Sequence, residues 1–416
     1  MTTPVGETTC RVCRGPLGEF LDLGRQPLSD RFLTEREIPG EFFYRLAVGA
    51  CASCGMVQLM EEVPRELMFR EDYPYHSSGS SVMREHFART AHGFLESAYA
   101  GPDPFVVEIG SNDGVMLGAV RDAGVRHLGF EPSGKVAEVA RRRGVRVRTD
   151  FFEEPTAAEV RAAEGPADVI YAANTICHIP YLESIFRGVD ALLAPGGRFV
   201  FEDPYWGDIV EKTSFDQIYD EHFYFFTASS VRAAAERFGF ELVDVERLSV
   251  HGGELRYTIA RRGAATPAAA VAETVERERA RGLTAPDTLR RFAADVERVR
   301  DDLTALLRRL REEGRRVVAY GATAKSATVT NFCGLDAGLV EWVCDTTPQK
   351  QGLLTPGAHL PVVPPERFSP ASSDGGYPDY ALLFAWNHAE EIMAKEQEFR
   401  DAGGRWILYV PDVRVV

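Results

Sequence analysis

The sequence contains no apolar run that approaches the roughly 20 residues needed to cross a bilayer. Its opening residues, MTTPVGETTC, lack both the basic start and the apolar centre of a secretory signal peptide. Basic side chains are outnumbered, 47 against 62 acidic ones, and a net charge of −15 disfavours a general nucleic-acid binder. These absences predict a cytoplasmic protein that uses neither a membrane nor a nucleic acid as its partner.

Cysteines are few and odd in number, seven in 416 residues, as expected for reduced thiols in a cytosol. Four of them form the Cys-x-x-Cys pairs Cys10/Cys13 and Cys51/Cys54, which match the four thiolate ligands of a tetrahedral zinc ion. Four thiolates leave no open coordination position, so we predict a structural zinc site rather than a catalytic one. The alternative is four unrelated buried cysteines.

The length of the chain indicates more than one core, because single domains seldom exceed about 250–300 residues. Composition and patterning divide the chain into three regions of an α/β protein. We predict a zinc-binding module at 1–66, a Rossmann-like domain at 67–262 and a second Rossmann-like α/β domain at 263–416. The second and third regions each alternate strand-like and helix-like segments, which favours parallel sheets with ligands beyond the carboxyl ends of their strands.

The middle region opens with PFVVEIGSNDGVML, an apolar strand that runs into a glycine-containing turn. Gly110 and Gly114 would let a cofactor approach the backbone, and Glu131 stands about 20 residues on, where an acid accepts ribose hydroxyls. NAD is the alternative, but the GxGxxG diphosphate motif is absent, and the acidic turn suits the cationic cofactor S-adenosylmethionine (SAM). The predicted cofactor residues are Glu108, Gly110, Asn112, Asp113, Gly114, Glu131, Pro132, Asp150, Phe151 and Asn174.

The third region begins with a long amphipathic helix that ends before Gly314. A strand follows, and then GATAKS, a loop of small residues that opens a helix. Such a loop presents free backbone amides to an anion, and Thr323, Lys325 and Ser326 would add side-chain contacts. The alternative is a plain turn from strand to helix.

The stretch IYDEHFYFFT, residues 218–227, places Tyr219, Glu221 and His222 among aromatic neighbours. A buried cluster of an acid, a histidine and a tyrosine is either structural or a site of proton transfer. The segment alone does not decide between these two interpretations.

The order of the four-cysteine module, EIGSNDGVML, YDEHFYFF and YGATAKS resembles the C-3 methyltransferases of deoxysugar biosynthesis along essentially the whole chain. DYPYHSSGSSVMREHF and SVHGGELRY are further specific pieces of the resemblance. It implies an enzyme that uses SAM to methylate C-3 of a TDP-linked 4-keto-6-deoxy sugar, of the kind that later decorates antibiotics. It also implies a C-terminal domain that contacts the nucleotide sugar.

The resemblance assigns roles to individual residues. It implies that His222 is the base, that Glu221 orients the site, and that Tyr219 hydrogen-bonds the keto oxygen or its enolate. It also places a tyrosine of the YPY motif in the site, and we favour Tyr73 for that position. Tyr75 is better placed to line a lid. His178 is a plausible second proton carrier or substrate contact, while His251 either lines the site or is a turn residue.

Other functions remain open from the sequence. A SAM-dependent O- or N-methyltransferase of a small molecule also needs a base. A zinc-module methyltransferase of RNA or protein would need a basic, aromatic-lined face, and a binding protein without activity would turn over no SAM. The sequence does not specify the sugar. We expect a monomer.

Overall fold

A computed structural model describes residues 9–68, 77–79, 81–96, 103–368 and 376–416 of the chain. The predicted α/β fold is confirmed, and the three regions each contain a sheet. In the described part of the chain, every helix is too short or too polar to cross a membrane.

The strands fall in all three regions. Their bounds are β1 Leu17–Pro27, β2 Phe43–Cys51, β3 Val57–Leu59, β4 Phe105–Ile109, β5 Arg126–Phe130, β6 Val147–Arg148, β7 Ala167–Ala173, β8 Leu193–Pro204, β9 Tyr224–Phe225, β10 Phe240–Leu248, β11 Glu254–Arg261, β12 Val317–Tyr320, β13 Val343–Cys344, β14 Val362–Val363, β15 Tyr380–Leu383, β16 Arg405–Leu408 and β17 Arg414–Val415.

The helices cover the faces of the two larger sheets. Their bounds are α1 Arg65–Met68, α2 Ser81–Glu96, α3 Val115–Asp122, α4 Gly134–Arg142, α5 Glu154–Glu164, α6 Leu182–Leu192, α7 Trp206–Lys212, α8 Ala228–Arg237, α9 Ala269–Arg281, α10 Pro286–Glu312, α11 Ala324–Phe332, α12 Ala389–Lys395 and α13 Gln397–Asp401.

The middle sheet has the order β10-β11-β8-β7-β4-β5-β6. Its strands are parallel from β6 to β8, and β11 and β10 add an antiparallel hairpin at one edge. All five residues of β4 are buried, as expected for an apolar run in the centre of a parallel sheet. The carboxyl ends of β4, β5 and β7 therefore meet at one edge, where the predicted cofactor residues lie.

The C-terminal sheet has the order β14-β13-β12-β15-β16-β17 and is parallel except for β17. The long helix α10 buries one face from Leu289 to Leu310 and ends at Glu312, two residues before Gly314, the left-handed residue after its C-cap. Its amphipathic pattern therefore predicts the burial that the structure shows.

The N-terminal sheet has the order β1-β2-β3-β9, so its last strand comes from the middle of the chain. In this antiparallel pairing Val57 lies opposite Phe225 and Gln58 lies opposite Tyr224. The N-terminal module also contacts the C-terminal domain, because β1 packs against α10 and α11. The segment that carries His222 is therefore held where all three regions meet.

Candidate active site and zinc site

The four cysteines of the two Cys-x-x-Cys pairs lie together. Cys10 Sγ is 3.7 Å from Cys54 Sγ, Cys13 Sγ is 3.4 Å from Cys51 Sγ, and all four sulfurs lie within 4.8 Å of one another. Sulfurs about 2.3 Å from one tetrahedral zinc ion would be about 3.8 Å apart, so the geometry fits zinc. Gln58 Nε2 donates to Cys10 Sγ at 3.2 Å, which joins the zinc site to β3.

A cleft of about 970 Å³ lies between the carboxyl ends of the middle and C-terminal sheets. The glycine turn after β4 and the ends of β5 and β7 form one wall, and the loops after β12, β13 and β15 form the other. Asp30 of the N-terminal module closes one side. The predicted cofactor residues that line this cleft are Gly110, Asn112, Glu131, Pro132, Asp150, Phe151 and Asn174.

The glycine turn after β4 depends on left-handed backbone. Gly110 and Asn112 have φ values of 69° and 48°, and a Cβ at Gly110 would lie 2.3 Å from Thr175 Oγ1. Glycine is therefore required there by the packing of the protein itself as well as by its φ value. Gly114, with Glu108 and Asp113, is not among the residues that line the cleft.

Two polar residues of the turn hold the segment that leads into α2. Asn112 Oδ1 accepts from the Ser77 amide at 2.9 Å. Asp113 accepts from the Ser78 hydroxyl and lies 3.2 Å from Arg143 Nη1. Ser77 and Gly79 line the cleft, whereas the predicted site residues Tyr73 and Tyr75 lie outside the described residues.

The carboxylate of Glu131, just past β5, is oriented by the protein so that it can accept hydrogen bonds from hydroxyl groups. It accepts from the amides of Asn112 at 3.0 Å and Ser133 at 2.8 Å. Burial raises the pKa of Glu131 to about 7, although these two amides oppose the shift. A fixed acid at the end of the second parallel strand fits the ribose of SAM.

The tyrosine and histidine of the YDEH stretch are hydrogen-bonded to each other. Tyr219 Oη lies 2.7 Å from His222 Nε2, and His222 Nδ1 lies 2.8 Å from the carbonyl oxygen of Gln217. A carbonyl oxygen only accepts, so Nδ1 carries the proton and Nε2 accepts from the tyrosine hydroxyl. The opposite tautomer of His222, with the proton on Nε2, would leave no lone pair facing the cleft.

The other predicted members complete a compact cluster. His178 Nδ1 lies 3.7 Å from Glu221 Oε2, and the rings of His178 and His222 are 5.1 Å apart. Tyr219, Glu221, His222 and His178 all line the cleft. Asp220 points elsewhere and accepts from the Ser29 amide of the N-terminal module at 2.9 Å.

Burial sets the protonation states of this cluster. It lowers the pKa of His222 well below 6.5 and the pKa of His178 to about 4, because desolvation disfavours the cation. Burial, and then the charge of Glu221, raise the pKa of Tyr219 well above 10. At neutral pH the site therefore holds neutral imidazoles and a protonated phenol, which are a base and a hydrogen-bond donor.

The opposite wall carries the loop predicted to bind an anion. Thr323 caps α11 by accepting from the Ser326 amide, and Thr323 and Lys325 line the cleft. Ser326 is not among the lining residues, because it is buried and its hydroxyl donates to the Thr323 carbonyl at 2.6 Å. Lys325 is partly buried, and the resulting desolvation lowers its pKa although Asp216 and Glu254 oppose the shift.

Several cleft residues were not assigned from the sequence. Asp345 follows β13 and accepts from the Ala322 amide at 2.6 Å, a position that the strand end itself signals. His251 lines the cleft and is also a turn residue, with φ at 49°. Lys350 donates to Asp30 and to the Ala322 carbonyl, and no local pattern marks it. The other unassigned cations or imidazoles that line the cleft are Arg84, His388 and Lys395.

Comparisons with known proteins cover most of the chain. Residues 10–69 match the family model described as "Putative zinc binding domain", residues 83–245 match "Methyltransferase domain", and residues 249–411 match "C-methyltransferase C-terminal domain". The C-methyltransferase NovU of Streptomyces niveus is 34% identical over 424 aligned residues, which cover 99% of this chain and 97% of that protein.

Solved structures resemble the chain more distantly. A SAM-dependent methyltransferase from Anabaena variabilis is 18% identical with a TM-score of 0.35, covering 44% of this chain and 86% of its own. The CcbJ methyltransferase from Streptomyces caelestis is 15% identical with a TM-score of 0.33, covering 42% and 89%. Scores this low say nothing about activity.

The sheet order, the oriented acid after β5 and the matched methyltransferase domain define a SAM-dependent methyltransferase with an N-terminal zinc-binding module. The chain belongs to the C-methyltransferase family, as its full-length relative shows. The predicted cofactors, SAM and zinc, are confirmed, and methyl transfer to carbon displaces the O- and N-methyltransferase alternatives.

Proposed function

We propose that this enzyme transfers the methyl group of SAM to C-3 of a TDP-linked 4-keto-6-deoxy sugar after His222 removes the C-3 proton. The observation that carries the proposal is the orientation of His222, whose Nδ1 donates to Gln217 and whose Nε2 accepts at the wall of the cleft. A C-methyltransferase must turn a carbon into a nucleophile, and a neutral, oriented imidazole is the group that does so at neutral pH.

The ketone of the sugar provides the acidity that this chemistry needs. A C–H bond beside a carbonyl ionises because its electron pair passes into an enolate, and the proton goes to Nε2 of His222. SAM, when bound, supplies the electrophilic sulfonium methyl that the carbon takes up. Positioned proton transfer of this kind contributes ~10²–10⁴-fold to the rate.

The neighbours of His222 have separate roles in the proposal. Tyr219 keeps its proton because its pKa is raised, so it acts as a donor and not as a base. In the proposal its hydroxyl turns from His222 Nε2 to the developing enolate oxygen when the sugar binds, which frees the Nε2 lone pair for the C-3 proton. Glu221 and His178, 3.7 Å apart, face the same space and orient the sugar or pass on its proton. Tyr73 would complete the site from the segment before Ser77.

The C-terminal wall suits the nucleotide diphosphate. Thr323 and Lys325 stand at the N-terminus of α11, where the helix dipole and a partly buried cation favour an anion. SAM would lie against the middle sheet, with Glu131 toward its ribose. The two substrates would then meet beside His222, between the sheets.

Exchange in heavy water tests the proposal most directly. We would incubate the enzyme with SAM and a TDP-4-keto-6-deoxy sugar in D₂O, and repeat this with His222→Asn. The wild type should form a C-methylated sugar and exchange the C-3 hydrogen. The variant should lose both by ~10²–10⁴-fold, the contribution expected of a general base.

The exposed His92, on α2, provides the matched control, since His92→Asn should behave as the wild type. Full activity in His222→Asn would remove His222 from its role. A product methylated at C-5, the other carbon beside the ketone, would agree with the enolate mechanism but overturn C-3 as the site of methylation. No methylated sugar from the wild type would overturn the substrate class.

A further inference from the structure

Asp216 is a buried carboxylate that none of the preceding chemistry uses. It lies in the 3-10 turn Phe215–Gln217, with no exposed surface. Its Oδ2 accepts from Trp386 Nε1 at 2.6 Å and from the Tyr409 hydroxyl at 2.7 Å. Both donors belong to the C-terminal domain, so this carboxylate joins the two halves of the cleft.

Burying a carboxylate costs free energy that hydrogen bonds only partly offset. Burial accordingly raises the pKa of Asp216, while Lys325 and the two donors oppose the shift. The other oxygen, Oδ1, has no hydrogen-bond partner among the described residues. An apolar residue would pack here at a lower cost in free energy, so stability alone does not explain a carboxylate at position 216.

The next two residues connect this attachment to His222. The Gln217 carbonyl accepts from His222 Nδ1, and this bond fixes the tautomer. The Ile218 carbonyl accepts from the Thr328 hydroxyl of α11 at 2.7 Å. The carbonyl that orients His222 is therefore flanked on both sides by attachments to the C-terminal domain.

Trp386 ties the same attachment to the anion loop. Its ring lies 5.4 Å from Lys325 Nζ. The ring also packs against the turn before β11, where a Cβ at Gly252 would come within 2.7 Å of it. The indole of Trp386 therefore contacts both domains, and these contacts orient its Nε1–H toward Asp216.

We propose that Asp216 is a positioning residue that fastens residues 216–218 to the C-terminal domain and so holds His222 in the tautomer whose Nε2 faces the cleft. The proposal rests on the proposed function for its catalytic consequence. The tautomer of His222 is a property of the protein alone, however, and is measured without any substrate.

Nitrogen NMR of ¹⁵N-histidine-labelled protein reads the tautomer directly. The chain has nine histidines, and the His222 signal is the one lost in His222→Asn. We expect the Nδ1–H form in the wild type and a mixture of forms in Asp216→Leu. C-3 exchange should fall by about 10²-fold in that variant, as for a misplaced catalytic group, while SAM affinity is unchanged.

Two substitutions separate positioning from simple stabilisation. Asp216→Asn keeps an oxygen that accepts both bonds, so it should restore the tautomer and most of the exchange rate. Glu41→Leu removes a carboxylate that likewise accepts two bonds from the C-terminal domain, from the Gly357 amide and His359 Nε2, but lies away from residues 216–218. It should leave the tautomer unchanged.

The proposal is overturned if Asp216→Leu keeps the wild-type tautomer, if Asp216→Asn is as defective as Asp216→Leu, or if Glu41→Leu shifts the tautomer equally. Should Asp216→Leu fail to fold, Tyr409→Phe removes one of the two bonds and should give an intermediate shift. A wild type that exchanges no sugar hydrogen would overturn the proposed function while the NMR result still decides the role of Asp216.

Discussion

Burial and one backbone carbonyl give the imidazole of His222 the protonation state and the orientation that a base requires. Desolvation keeps it neutral, and Gln217 decides which nitrogen has the lone pair. The residue types of this cluster are visible in the sequence. Their hydrogen bonds are not, because the partner of Nδ1 is a main-chain atom five residues away, and only the fold determines where it points.

The pH dependence of the rate follows from the same burial. In the proposed function His222 acts only when neutral, and its pKa is well below 6.5, so protonation and loss of rate should occur only at a more acidic pH. We expect kcat/KM for the sugar, measured at saturating SAM, to stay constant as pH falls through 6.5. His178 and His251, with pKa values lowered to about 4 and about 3, do not titrate in that window.

Saturating SAM is needed in that measurement because Glu131, with a pKa raised to about 7, faces the cofactor side of the cleft. The pH profile should be recorded from pH 5 to 8 for the wild type and for His92→Asn. A half-maximal rate at pH 6.5 or above would show that His222 is not desolvated as the structure indicates.

At the scale of elements, the sequence predicts most of what a local pattern can specify. The apolar run of β4, the amphipathic face of α10 and the strand ends that carry Glu131 and Asp345 all follow from periodicity and turn residues. The two-residue strands do not follow from any such local pattern. β9 pairs with β3 across 168 residues, from Val57 to Phe225, and no local pattern predicts a partner so distant.

That pairing makes zinc relevant to the active site. Zinc fixes one knuckle before β1 and a second between β2 and β3, and β9 begins two residues after His222 on the edge of that sheet. Removal of zinc with a chelator should raise amide hydrogen exchange in β1–β3 and also in β9, because structural zinc contributes directly to folding. Methyl transfer should fall with it.

Hydrogen-exchange mass spectrometry before and after chelation measures both regions at once, and re-addition of zinc provides the control. Peptides from α10, which packs against β1 but belongs to the C-terminal region, distinguish local loosening from global unfolding. Increased exchange confined to residues 9–59, with β9 protected and activity intact, would show that the zinc module does not support the site.

At the scale of the molecule, the C-terminal wall of the cleft differs in charge from the protein as a whole. The whole chain carries −15, whereas this wall presents three lysines, Lys325, Lys350 and Lys395, against the two acids Asp345 and Glu391. A local excess of cations of this kind favours an anionic ligand on that wall. Net charge alone could not locate this wall, because a sum over the whole chain carries no information on where the lysines lie.

The division of the cleft into two walls gives a separable prediction for Lys325. Lys325→Met should weaken binding of TDP by roughly 10- to 100-fold, because a hydrogen bond to a charged group contributes about 1.5–3 kcal/mol. SAM affinity should be unchanged, since SAM would lie on the middle sheet. Calorimetric titration with each ligand measures both affinities, and Lys135→Met, at an exposed lysine of α4, is the control.

If TDP binds equally well to Lys325→Met, the anion does not lie at the start of α11. A parallel loss of SAM affinity would mean that the two walls are coupled and do not act as separate sites.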